Sequence, residues 1–167
     1  TLDYAEAMKH PAACRQAMLD ELRRWRMLAS FERYPRRLCS NLLDSRWVLK
    51  WKWDGEKWII KARLTVRGYQ DLQAANLKTK ALTVSRWGQR YINAIAAQYG
   101  WNLFQADVGQ AFLKGLTFAE VAKLEGGETR SVQFTVPPGA VPLLRLLDGY
   151  ADFDPTTEAL NMLRGGF

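Results

Sequence analysis

The sequence predicts an α+β fold in which helices pack on a small antiparallel sheet and a basic hairpin projects from it. Three observations carry that expectation. Apolar residues recur at three- and four-residue steps over 3–28 and again over 86–99, alternate at every second position over 46–67, and form one short, dense run at 101–108. With 167 residues, 48% apolar and 25% charged, the chain is long enough to bury one core and too apolar to default to disorder.

The first helical pattern carries Ala5 and Met8, then Ala17, Met18, Leu22, Trp25 and Leu28. Pro11 is expected to split it into two helices, the second running to about Ala29. Arg23, Arg24 and Arg26 lie on or beside the polar face and read as solvated helix charges. His10 is the only histidine and Cys14 and Cys39 the only cysteines, so neither a four-ligand zinc site nor a Ser-His-Asp triad can be assembled. No signal-peptide pattern or long apolar run precedes the cysteines, which are expected to be reduced and structural.

The next pattern is a hairpin. On its first arm Trp47, Leu49, Trp51 and Trp53 point one way and Val48, Lys50 and Lys52 the other. Asp54-Gly55 supplies turn chemistry in a loop that includes Glu56 and Lys57. On the second arm Trp58, Ile60, Ala62, Leu64 and Val66 share one face, and Ile59, Lys61, Arg63, Thr65 and Arg67 share the other. Lys and Arg outnumber Asp and Glu by 24 to 17, and residues 46–67 alone carry seven basic and two acidic side chains. Five of the seven net positive charges therefore fall in 22 residues. That cationic face has two readings: a solvated outer surface over a core-facing tryptophan stripe, or a lid that meets phosphates, with Lys as a movable point charge and Arg as a bidentate fork.

After an irregular polar stretch, the third helix is expected from Arg86 to Tyr99, with Tyr91, Ile92, Ile95, Ala96 and Tyr99 as its apolar stripe and Gly100 as its end. Trp101 to Val108 then reads as a buried strand. Asp107 sits at its end, where an unpaired carboxylate would be costly to bury. A structural ion pair, a cap for the next helix, or a metal ligand each accounts for it.

Read together and in order, these residues resemble a known family. Gln105-Ala106-Asp107-Val108-Gly109-Gln110-Ala111-Phe112-Leu113-Lys114-Gly115 is similar to motif A of Copia-type retrotransposon reverse transcriptases, Asp-Val-x-x-Ala-Phe-Leu-x-Gly. Upstream, Arg46-Trp47-Val48-Leu49-Lys50 and Lys61-Ala62-Arg63-Leu64-Thr65-Val66-Arg67-Gly68-Tyr69-Gln70 resemble the fingers signature of that family. Tyr4, Ala7, Ala17, Met18 and Glu21 match its entry helices, and Val132-Gln133-Phe134-Thr135-Val136-Pro137-Pro138-Gly139 the strand that follows motif A. The likeness covers residues 2–139. It departs at Ala81-Leu82-Thr83-Val84-Ser85, at Val121-Ala122 and at the insertion from Glu125 to Arg130.

The resemblance implies a fingers region over 1–100, with helices at 3–29, the hairpin at 46–67 and a helix at 86–99, and a partial palm over 101–167. It implies Asp107 as a catalytic carboxylate that binds two Mg2+ ions, with the backbone carbonyl of Val108 completing one coordination sphere. Phe112 would be the steric gate against a ribose 2′-hydroxyl. Lys61 and Arg63 would touch the triphosphate of the incoming nucleotide, and Lys50, Lys52 and Arg67 the nucleic acid. The reaction implied is RNA-directed DNA synthesis, template-directed transfer of a nucleotide to a primer 3′-hydroxyl by two metal ions. Its partners would be an RNA or DNA template-primer, a deoxynucleoside triphosphate and the remaining palm, thumb and RNase H of a parent polyprotein, with no membrane. The setting would be intracellular: the cytoplasm or a virus-like particle, with access to the nucleus for integration.

One carboxylate does not hold two divalent ions, and the family supplies the others from a Tyr-x-Asp-Asp hairpin, whereas no Asp-Asp pair occurs in this sequence. Asp152-Phe153-Asp154, followed by Pro155, reads instead as a turn and helix cap. The alternative function is a non-catalytic, basic nucleic-acid-binding module or an inert remnant of a transposable element. Thr1 and the closing Arg164-Gly165-Gly166-Phe167 read as cuts through a longer polypeptide, so the last 25 or so residues are expected to be poorly ordered for want of partners.

Overall fold

The first two helices begin where the sequence places them. In the structure, a computed structural model describing residues 2–76, 83–109, 111–137 and 139–165, with the Phe112 side chain left out, α1 (Tyr4–Ala7) is capped by Asp3, whose carboxylate accepts the Glu6 N–H at 2.7 Å. Pro11 opens α2 (Pro11–Met27), where a missing N–H has no intrahelical bond to lose. At the other end Ala29 takes φ 46°, and the N–H groups of Ala29 and Ser30 reach the carbonyls of Arg26 and Trp25, each at 3.0 Å. This Schellman turn reverses the chain into β1 (Phe31–Pro35), so that Phe31 lies beside Trp25 with ring centroids 6.3 Å apart.

The order continues through β2 (Leu42–Leu43), β3 (Ser45–Trp53), β4 (Trp58–Val66), α3 (Arg86–Tyr99), α4 (Ala111–Lys114), α5 (Phe118–Glu125), β5 (Gln133–Phe134), α6 (Val141–Leu144) and β6 (Glu158–Met162). The architecture is mixed α+β, with two small sheets among the described residues. One is the β3–β4 hairpin. The other has four strands in the order β1-β6-β5-β2. The small sheet was expected to be antiparallel throughout, but β2 and β5 run parallel, while β6 is antiparallel to both neighbours. The sheet draws strands from both sides of residue 100, since β1 pairs with β6 from Phe31 opposite Met162 to Pro35 opposite Glu158.

One core fills the space between this sheet, α2, α6 and the inner face of β4. Leu22 and Trp25 from α2 meet Phe31, Leu64, Val66, Phe134, Leu144, Tyr150, Phe153 and Leu160, all buried. Its aromatic members pair edge-on or tilted, Phe31 with Phe134 at 6.3 Å and Phe31 with Tyr150 at 5.6 Å. Burying one such side chain stabilises the fold by about 1.5–3 kcal/mol. A polar cluster ties the loops to the sheet. The Asn41 amide donates to Asp71 at 2.7 Å and to the Ser131 carbonyl at 3.0 Å, and Arg130 pairs with the same Asp71.

Three further expectations are overturned. The C-terminal residues do not lack partners: Leu143, Leu144, Leu147, Tyr150, Phe153, Ala159, Leu160 and Met162 are buried, and β6 takes an inner position with a ladder on each side. Asp152-Phe153-Asp154 does form a turn, but a strand follows it rather than a helix. Asp152 pairs with Arg33, and Asp154 accepts the Thr156 N–H at 2.9 Å before β6 begins. Trp101–Val108 is neither strand nor buried, with Phe104 92% exposed. A strand needs a neighbouring edge to bond its N–H and C=O groups, and no described strand pairs with this run.

Candidate nucleic-acid interface

The hairpin has the two faces that its alternation implies. Pairing sets Trp47 opposite Leu64, Leu49 opposite Ala62, Trp51 opposite Ile60 and Trp53 opposite Trp58. On this side Ile60, Ala62, Leu64 and Val66 are buried, and α2 lies across β4. The loop is closed by Asp54, whose carboxylate accepts the N–H groups of Glu56 and Lys57, each at 2.9 Å, while Gly55 takes φ 114°. Those two bonds hold the Asp54 carboxyl below the usual carboxylate range.

The other face is cationic and exposed. Lys50 stands directly opposite Lys61, Arg63 opposite Val48, Lys52 opposite Ile59 and Arg46 opposite Thr65. All five basic side chains are exposed. Among the described residues none of the five makes an ion pair, in contrast to Arg23, Arg24, Arg33 and Arg67. Like charges directly opposite on antiparallel strands destabilise the pairing, so the Lys50–Lys61 register is a cost that an anionic ligand would relieve. From Arg46 to Lys52 the face extends roughly 20 Å at the rise of an antiparallel strand. Arg67 is different: its guanidinium lies 4.0 Å from Asp44 and donates to the Tyr69 hydroxyl at 3.3 Å, at the base of the hairpin rather than on the open face.

Asp107 and its neighbours lie elsewhere. Asp107 and Val108 are exposed on a run without regular structure. Leu113 of α4 is the buried anchor of this segment, in the same core as Leu64 and Val66. The Phe112 side chain lies outside the described residues, as do Gln110 and Pro138. No hydrogen bond or ion pair among the described residues joins Asp107 to the hairpin, and no three His, Cys, Asp or Glu side chains among them come together as a metal site. Asp107 therefore does not fit a two-metal centre with the residues described around it.

The engaged charges were not separable from the open ones in the sequence. Arg33 donates to Glu158 at 2.8 and 2.9 Å and to Asp152 at 2.6 Å, which holds both carboxyls below their usual range. Nothing local marks Arg33 as engaged, because its partners lie more than 115 residues away. Arg23 and Arg24, read as solvated charges, pair with Asp20 and Glu21 on their own helix. The cysteines are free, and burial pushes the Cys14 thiol up, away from nucleophilic chemistry. Among the described residues no helix is long and apolar enough to cross a membrane. Comparison with family models, curated proteins and solved structures finds no match to this chain.

Proposed function

We propose that this chain is the fingers and partial palm of a Copia-type reverse transcriptase, and that its hairpin holds the phosphates of nucleic acid or nucleotide. The observation that carries the reading is the face of Arg46, Lys50, Lys52, Lys61 and Arg63, exposed and without acidic partners among the described residues, with two lysines placed directly opposite. Phosphate oxygens satisfy such a face through charge-assisted hydrogen bonds. In this reading Lys61 and Arg63 meet the triphosphate of a nucleotide, Phe112 screens its sugar, and Lys50, Lys52 and Arg67 steady the template-primer.

Asp107 would contribute one carboxylate to nucleotidyl transfer. Magnesium enters only as an ion to be completed by carboxylates from the remainder of a polymerase, and no step is assigned to it. The same reading sets the protein in the cytoplasm or a virus-like particle, with access to the nucleus. The exposed, strandless position of Asp107 favours a second reading, a basic module that binds nucleic acid without catalysis.

Both readings require salt-sensitive binding to RNA or DNA, weakened by Lys61→Ala with Arg63→Ala and with a shallower salt slope. Unchanged binding would reduce the face to a solvated surface. Primer extension with magnesium separates the two readings. The chain alone is expected to add no nucleotide, and addition above an Asp107→Asn control would show that it completes a catalytic site.

A further inference from the structure

The apolar face of the hairpin is covered unevenly. Along β4 it is buried from Ile60 to Val66, and Leu49 packs with Leu2, Cys14 and Ile60 beneath α1 and α2. Trp51 is held from the helical side, its indole N–H donating to Glu6 at 2.7 Å and its ring 5.2 Å edge-on from that of His10. Cover stops there. Trp53 and Trp58, the last pair before the loop, are 49% and 63% exposed, with ring centroids 5.7 Å apart at 65°.

We infer that Trp53 and Trp58 form a stacking platform for unpaired bases of single-stranded nucleic acid, an inference that rests on the reading of the hairpin as a phosphate-binding surface. Charge favours this partner. Lys52 and Lys57 adjoin the two rings in sequence, and Lys50 and Lys61 each stand three residues from the ring on their own strand. The only acids at the tip are Asp54 and Glu56, and the Asp54 carboxylate is turned into the loop, where it accepts two backbone N–H groups. Size favours it too. A specific protein interface needs about 800 Å² from each partner, far more than the exposed parts of two indoles supply, whereas bases stack on single rings. A strand crossing the edge of the ribbon can keep its phosphates with the lysines while its bases reach the tryptophans.

An edge-on tryptophan pair also steadies a hairpin end, so the test separates stacking from stability. Binding of the full chain to an oligothymidylate is compared with binding to an abasic strand of equal length, which keeps the phosphates and lacks the bases. The base-bearing strand is expected to bind about 5- to 100-fold more tightly. Trp53→Thr with Trp58→Val is expected to bring the two strands within about twofold of each other while abasic binding is retained; Trp53→Phe with Trp58→Phe should keep most of the preference. If the first pair of substitutions lowers the far-UV dichroism, Trp58→Val alone decides. Equal binding of both strands by the native chain, a preference that survives loss of both rings, or a dimer that the substitutions abolish would each overturn the inference. Binding to neither strand would overturn the phosphate reading beneath it.

Discussion

In the body of the molecule Val132, Phe134, Leu144 and Phe153 are fully buried, and the chain that carries them runs from one paired or packed element to the next. Along residues 86–109 the pattern reverses. Trp87, Tyr91, Ile92, Tyr99, Trp101, Leu103, Phe104 and Val108 are all more than half exposed, and of the whole apolar stripe of α3 only Ala96 is buried. Both regions are rich in aromatic residues, so hydrophobicity alone does not separate them. What separates them is a partner surface. β6 offers one edge to β1 and another to β5, while along the apolar stripe of α3 Ala96 is buried, Ile95 half-buried and the aromatic residues exposed. Tyr99 stacks on Trp101 at 5.7 Å, and Arg90 lies 5.4 Å above Trp87.

Cutting one aromatic ring from each region should give opposite outcomes. Phe153→Ala should cost about 3–5 kcal/mol and remove much of the cooperative unfolding transition, because the cavity is enclosed. Phe104→Ala, at 92% exposure, should stay within about 0.5 kcal/mol. Denaturant unfolding monitored by circular dichroism measures both, and equal losses would mean that the 86–109 region is packed as tightly as the body.

Next in size is Arg130→Met. It leaves Asp71, whose side chain is only 1% exposed, without its cation, and should cost about 2–3 kcal/mol. The loss stops there because the Asn41 amide and the Gln73 N–H still serve the carboxylate. A change in denaturant midpoint below a quarter of that would place the support for this loop elsewhere.

Acid should loosen the body before it affects the other region. Burial alone would raise the Asp71 carboxyl, but bonds from Asn41, Gln73 and Arg130 outweigh it and hold it low. Glu158 and Asp152 are held low chiefly by Arg33. Carboxyls depressed in the folded state contribute stability above their unfolded values and lose it as pH falls through the folded ones, so stability should decline below about pH 4. Arg33→Met should flatten that acid limb, and an unchanged limb would remove Arg33 from the account.

Asp107→Asn, like Phe104→Ala, should stay within about 0.5 kcal/mol, because the residue is exposed and makes no hydrogen bond or ion pair among the described residues. A larger loss of stability would give Asp107 a structural role.

α1, α2, α3 and the hairpin were legible because their signals are local, whereas α4, α5 and α6 were not anticipated. Pro11 at a helix start, Gly100 at a helix end and the alternation of residues 46–67 depend on neighbours within a few positions. Trp101–Val108 misled for the opposite reason: its composition is that of a buried strand, but burial is supplied by another part of the chain. The C-terminal residues misled in the reverse direction, since no repeat in them announces that Ala159, Leu160 and Met162 would fill the sheet between β1 and β5. Of the candidate site, the cationic face was legible residue by residue; the lack of ion pairs at Lys61 and Arg63 among the described residues, and their presence at Arg33, was not.

Read alone, the sequence placed α1, α2 and α3, assigned the side chains of the hairpin to its two faces, and located the concentration of positive charge over residues 46–67. Each follows from backbone geometry and side-chain order over a few residues. Long-range packing places β6 in the sheet and engages Arg33 with Glu158 and Asp152, through contacts between residues more than a hundred positions apart that no local pattern encodes, whereas Arg23 and Arg24 are engaged within their own helix. The exposure of residues 101–108 is likewise set by which surfaces the rest of the chain offers.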